Sequence, residues 1–141
     1  MPFVHRLTVR YADTDAQGHV FFANAYTYMD EGLTALLEHI GLPYTRLEAE
    51  QGVICVFAAS ACRHRSRILF GAPVEITVTV SRLGRTSFAT RYVLAQPGGP
   101  VCAEGELTSV CLHPTDRTPV PMPSVLKQRL AAHVLAEDGG D

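Results

Sequence analysis

The sequence predicts an α+β domain in which a five-stranded antiparallel sheet wraps around one long helix. Three observations carry this expectation. Apolar and polar residues alternate in stretches that read as strands. One segment instead places apolar residues at steps of three and four, the repeat of a helix with one buried face. The order is one strand, the helix, then four strands, so helices do not separate the later strands as they would in a parallel sheet.

The elements follow in turn. Phe3, His5, Leu7, Val9 and Tyr11 alternate with Val4, Arg6, Thr8 and Arg10, which predicts a first strand with a mostly polar second face. Ala12 to Gly18 is rich in turn formers and predicts a loop. A helix starts between Phe22 and Asn24, its stripe formed by Tyr26, Met29, Leu33, Leu36, Leu37 and Ile40. Gly41 stops it and Pro43 follows. Pro43 to Gly52 is expected as a linker, and Val53 to Leu69 as a long strand, arginine-rich toward its end. Gly71-Ala72-Pro73 breaks the chain. Val74, Ile76, Val78 and Val80 then mark one strand, and Phe88, Thr90, Tyr92 and Leu94 the next. Turns are predicted at Leu83 to Thr86 and Gln96 to Pro100, and a last strand at Val101 to His113. Ser124 reads as the N-cap of a short helix marked by Leu126, Leu130 and Val134. Residues 1–136 are expected to form one domain, and 137–141 a loose tail without apolar residues.

Composition narrows the function. The chain has 141 residues, 47% of them apolar and 18% charged, which is too apolar for a disordered chain. So little charge on a small domain points to a buried subunit interface. A net charge of -2 and a pI near 6.3 argue against a protein that coats nucleic acid. No run approaches the roughly 18 apolar residues of a membrane span, and the first ten residues lack a signal-peptide core. A soluble cytoplasmic protein is therefore expected. Cys55, Cys62, Cys102 and Cys111 form no C-x-x-C pair and lie in apolar runs, so buried free thiols are expected. His5, His39, His64, His113 and His133 show no ligand spacing, and neither a metal nor a redox cofactor is expected.

The segment Tyr11 to Asn24 holds two carboxylates and a histidine just before a helix start. Turn and helix-capping chemistry accounts for many such loops. A calcium loop is a second reading, since Asp13, Asp15, Gln17 and Gly18 match positions 1, 3, 5 and 6 of the EF-hand pattern. It fails because Asn24 stands where a bidentate Glu is required and a strand precedes the loop. Two carboxylates alone are few ligands for a looser metal site. Acyl transfer is the third reading. A helix N-terminus offers free N–H groups and partial positive charge to a developing oxyanion. A carboxylate upstream can attack the carbonyl or activate a water. An ordinary Asp, with a pKa of about 3.9, is ionised at pH 7. It is a poor nucleophile toward amides and a better match to a thioester, whose thiolate leaves easily.

Asp13-Thr14-Asp15, Gly18, Asn24 and Tyr26 stand at the spacing of a known motif. In this the chain resembles the hot-dog-fold acyl-CoA thioesterases, in the 4-hydroxybenzoyl-CoA thioesterase branch. Gly18-His19-Val20 also resembles the subgroup acting on longer acyl chains. The strand order agrees over about residues 3 to 113. The resemblance implies an acyl-CoA substrate, no cofactor beyond the CoA of that substrate, and a homodimer or homotetramer with active sites between subunits. It makes Asp15 the catalytic carboxylate, as nucleophile or general base, and the Phe22 N–H the group that polarises the carbonyl. Asp13 would brace the loop. His19, Phe21, Phe22 and Tyr26 would face the substrate, and Arg85 and Thr86 would contact the CoA nucleotide. Two departures bear on the substrate side and the dimer edge: Gly71-Ala72 replaces a common Gly-Asp pair, and Ser66-Arg67 a common Pro-Ala.

Arg63, Arg65 and Arg67 recur at period two, so on a strand they share one face. They would grip CoA phosphates or simply form a solvated, ion-paired face. Two further functions stay open. One is an acyl-thioester dehydratase pairing His19 with a carboxylate such as Glu31. The other is a non-catalytic acyl-thioester binding module. An aryl or a short to medium acyl group suits the aromatic helix start, a hydroxynaphthoyl thioester among them.

Overall fold

Strict alternation decides which sheet face meets the long helix. Val74, Ile76, Val78 and Val80 are fully buried, as are Phe88, Thr90, Tyr92 and Leu94 on the neighbouring strand. Their alternate residues are half-buried or exposed, except Ala89, which is also buried. The computed structural model describes residues 2–134. Within it the chain runs β1 (Phe3–Thr8), a 3-10 turn (Tyr11–Asp13), α1 (Asn24–His39), α2 (Tyr44–Gln51), β2 (Ile54–His64), β3 (Pro73–Leu83), β4 (Ser87–Ala95), β5 (Val101–Leu112) and α3 (Ser124–Ala131). The sheet order is β1-β3-β4-β5-β2, and every neighbouring pair is antiparallel. This is the α+β sheet around a helix that the sequence predicts.

Helix α1 lays Met29, Leu33, Leu36 and Leu37 on the inner face, all with no exposed surface. Each such burial is worth about 1.5–3 kcal/mol before conformational entropy is counted. Gly32 lets the helix approach β3: a Cβ there would stand 3.0 Å from Ile76 and 3.1 Å from Val78. Gly105 does the same from β5, where a Cβ would meet Met29 at 2.6 Å and the Ala61 carbonyl at 2.8 Å. Because one of those neighbours is backbone, Gly105→Ala is expected to cost about 1–3 kcal/mol, read as a lower urea midpoint with an unchanged m-value. At its C-terminus α1 ends in a Schellman motif. Gly41 sits at φ +79 and donates to the Glu38 carbonyl, and the Leu42 N–H donates to the Leu37 carbonyl at 2.8 Å.

Several expectations need correction. Tyr26 is 36% exposed and off the buried stripe, whereas Tyr28 is 2% exposed and on it. The stripe runs Ala25, Tyr28, Met29, Gly32, Leu33, Leu36 and Leu37, and its two smallest members hide the periodicity at one edge. The expected linker after Pro43 contains α2, which is anchored by the single fully buried residue Leu47 and so leaves no apolar repeat to read. The first strand ends at Thr8, and Tyr11 is exposed in the 3-10 turn. Strand β2 stops at His64, where the Arg65 and Ser66 N–H groups both turn onto the Cys102 carbonyl. Ser124 is the first residue of α3 and caps nothing; Pro123 holds the cap position. Val134 lies beyond α3 and bridges to Val80. The expected tail at 137–141 lies outside the described residues.

Strands β1 and β2 are the two edges of the sheet. Along β2, Ile54 to Cys62 carries no charge and Phe57 is 44% exposed. All four cysteines are free; Cys102 and Cys111 are buried, and Cys55 and Cys62 half-buried. No helix among the described residues is long and apolar enough to cross a membrane.

Candidate active site

The loop between β1 and α1 is closed by its own backbone. Thr14 bridges to Val20, the Asp15 N–H donates to the His19 carbonyl at 2.9 Å, and the Gly18 N–H donates back to the Asp15 carbonyl at 3.1 Å. Gly18 takes φ +85, a conformation that side chains disfavour, and so makes the turn. The loop is tied to the segment before β3 by the Val20 N–H on the Ile68 carbonyl and a bridge between His19 and Leu69.

The two carboxylates have different surroundings. Asp13 is 5% exposed. It accepts from the Tyr28 hydroxyl at 2.8 Å, from the Arg10 guanidinium at 2.9 Å and from the Arg10 N–H at 3.1 Å. Burial pushes its carboxyl up, but these hydrogen bonds together with the guanidinium charge outweigh burial and hold it below the usual carboxylate value. Burial, then the bond to Asp13 and its charge, push the Tyr28 phenol up, so that phenol stays a proton donor. Asp15 is freer. One oxygen accepts the Gln17 N–H at 2.8 Å, and the other stands 4.0 Å from His19 Nδ1 with the side chain 25% exposed. Asp13 is thus committed to its structural partners, and Asp15 is the more accessible side chain.

Helix α1 starts beside them. The Phe21 N–H and the Asn24 side-chain amide both donate to the Asp13 carbonyl, at 2.8 and 2.9 Å. The Asn24 N–H closes the first turn on the Phe21 carbonyl at 2.8 Å. Among the described residues the Phe22 N–H has no protein acceptor. Phe22 borders a largely apolar cavity of about 250 Å³. Buried Val20, Ala25, Ile68 and Ala103 line the cavity together with the more exposed His19, Phe21, Phe22, His64 and Arg67. The Phe22 ring meets His64 edge-to-face at 5.8 Å.

The expected site residues divide in two. Asp15, His19, Phe21 and Phe22 share the loop, and His19 links Asp15 to the cavity it lines. Tyr26 instead faces a separate hollow of about 330 Å³ with Asp30, Phe57 and Ser60. Arg85 and Thr86 occupy the β3–β4 turn, where their carbonyls accept the Met122 and Cys111 N–H groups at 2.8 Å each. The loop follows β1, whose Thr8 pairs with Pro73 at the opposite end of β3. Ten residues of strand separate the two places by roughly 30 Å. One chain therefore does not bring Arg85 and Thr86 to Asp15.

The three arginines do not all share one face, because the strand ends at His64 and Arg67 lies beyond it. Arg65 is bonded to Glu104 by two nitrogens, at 3.0 and 3.2 Å. Arg63 and Arg65 share a surface with Arg91, Glu104 and Glu106, Arg65 also borders the cavity, and Arg67 borders the cavity alone. Glu31, the carboxylate offered for a dehydratase, stands 4.0 Å from His5 and pairs with β1 instead of His19. His64, Ile68 and Ala103 were not anticipated at the site. They come from the end of β2, the segment after it and the start of β5, which meet only through strand pairing. Among the described residues no group of three or more His, Cys, Asp or Glu is placed to hold a metal ion.

Known proteins resemble the chain in sequence and in fold. A 1,4-dihydroxy-2-naphthoyl-CoA hydrolase of Thermosynechococcus vestitus is 29% identical over 122 residues, covering 86% of this chain and 84% of that one. A gentisyl-coenzyme A thioesterase structure superposes with a TM-score of 0.79 at 27% identity, covering 92% of this chain and 99% of that one. A thioesterase superfamily structure from Jannaschia sp. has a TM-score of 0.88 at 22% identity over 96% of this chain and 94% of its own, and so shares the fold. The sequence model of the thioesterase-like superfamily matches residues 9–130. The chain belongs to the thioesterase-like superfamily and has its hot-dog fold.

Proposed function

We propose that the protein hydrolyses an acyl-CoA thioester to a free acid and CoA, with Asp15 as its catalytic carboxylate. One observation carries this reading: an accessible carboxylate and an unused helix-start N–H, that of Phe22, belong to the same short loop beside a cavity. The thioester oxygen accepts the Phe22 N–H, aided by the partial positive charge of the α1 N-terminus. Asp15 then acts in one of two ways. As a nucleophile it bonds to the carbonyl carbon and the C–S bond breaks; water opens the resulting anhydride. As a general base it takes a proton from a water that attacks the same carbon. Both routes consume one water and release the CoA thiol and a carboxylic acid. His19, beside Asp15, helps to hold it or contacts the substrate.

An aryl acyl group suits the site. The rings of Phe21 and Phe22 stand 4.9 Å apart beside the apolar cavity, ready for offset or edge-to-face contact with a flat group. The relatives named for gentisyl- and dihydroxynaphthoyl-CoA support the same class. The test is free-thiol release from aryl, short-chain and medium-chain acyl-CoA esters. Aryl esters are expected to turn over fastest. Alkene formation without thiol release would identify a dehydratase, and tight binding without turnover a binding module.

The site is completed by a second copy of the chain. Strand β2 presents an unpaired edge, uncharged from Ile54 to Cys62, which natural sheets rarely leave bare. Pairing there would let the Arg85 and Thr86 turn of one subunit serve the loop of another. Arg85→Ala is expected to raise KM for the CoA ester by about twofold to fivefold, with the larger effect at low salt. Steady-state kinetics at two ionic strengths check it, and an unchanged KM removes Arg85 from the site.

A further inference from the structure

We propose that Tyr28 is a positioning residue for the reaction: through Asp13 it fixes the Phe21–Phe22 peptide so that the Phe22 N–H faces the cavity. The inference rests on the thioesterase reading of the loop. Its starting point is that Asp13 is held at both ends. Its carboxylate accepts the Tyr28 hydroxyl at 2.8 Å, and its carbonyl accepts the Phe21 N–H at 2.8 Å and the Asn24 amide at 2.9 Å. Tyr28 lies 15 residues along the chain, inside α1, and is 2% exposed. A packed helix thereby sets the position of an otherwise exposed loop.

The peptide geometry completes the link. The Phe21 N–H, in the Val20–Phe21 peptide, is tied to Asp13, and the carbonyl of the next peptide, that of Phe21, accepts the Asn24 N–H at 2.8 Å. A trans peptide is planar, and its N–H points opposite to its C=O. With the Phe21 carbonyl directed into the first turn of α1, the Phe22 N–H points back out of the helix start, where Phe22 borders the cavity. The Asp13 carbonyl holds that orientation from both sides, through the Phe21 N–H before the peptide and the Asn24 amide after it. Arg10 also holds Asp13, but its side chain is 72% exposed and water can replace it. No water replaces a phenol packed against the core, which makes Tyr28 the distinguishing member.

The experiment uses the full chain with Tyr28→Phe, and Asn24→Ala as a second variant that acts on the same carbonyl. Amide hydrogen exchange in the unliganded protein is read first. Phe21 exchange should accelerate by about tenfold, the loss of one hydrogen bond to a charged group, while the Ile76 and Val78 amides keep native rates. CoA release is read second: kcat should fall about tenfold with KM within twofold, short of the roughly 10²–10³-fold loss when a donor is removed outright. Unchanged Phe21 exchange overturns the proposal. So does equal loss of protection at Phe21, Ile76 and Val78, which would mean general loosening, and so does a native kcat. A native protein with no turnover on any ester overturns the thioesterase reading instead, and the exchange rates then decide the loop claim alone.

Discussion

Asp15→Asn is expected to lower kcat/KM for an aryl-CoA ester by about 10²–10⁴-fold and to leave the melting temperature within about 2 °C of native. The substitution keeps the shape of the side chain and an oxygen for the Gln17 N–H, so the turn survives. What it removes is the second, anionic oxygen near His19. An amide neither attacks a thioester carbonyl nor takes a proton from water. The same exchange at Asp13 has the opposite character. Asp13 is buried and gripped by Arg10 and Tyr28, so an amide there leaves a guanidinium with a weaker partner and disturbs folding as well as rate. Circular dichroism and thermal melting of the Asp15 variant separate the two cases. Full activity in a folded Asp15→Asn protein removes Asp15 from catalysis.

The second large effect concerns assembly. Phe57→Lys places a charge on the uncharged stretch of the β2 edge, a standard device against edge-to-edge pairing. The native protein is expected to sediment as a dimer or tetramer and the variant as a monomer, with CoA release reduced more than about tenfold because each site lacks its partner. Asp15 and the Phe22 N–H belong to another part of the chain and are not touched by the change. A variant that is monomeric and fully active contradicts an interface site. A native protein that is monomeric at working concentration contradicts it more simply.

How far the sequence could be read follows from what each pattern encodes. Period-two alternation in β3 and β4 reports a sheet with one buried face, and the inner residues Val74 to Val80 and Phe88 to Leu94 are the buried ones. The Asp13-Thr14-Asp15 loop was legible because its residue types are local to one segment. Tyr28 was missed beside Tyr26 because the helical stripe is completed by Ala25 and Gly32, which carry no apolar bulk. Helix α2 was missed because one buried leucine makes no period. Of the arginines at 63, 65 and 67, the first two share an ion-paired surface, whereas Arg67 leaves it because period two implies one face only while the strand lasts, and β2 ends at His64. Ile68 and Ala103 reach the cavity through pairings between distant segments, which no local spacing announces.

The most direct measurement is CoA release from one aryl-CoA ester by the native protein and Asp15→Asn side by side, at equal concentration and with the assembly state checked for both. The account predicts steady release by the native protein and a rate at least about 10²-fold lower for the variant, both folded and equally assembled. Equal release by the two proteins, or none by a folded and assembled native protein on any ester of the panel, would contradict it.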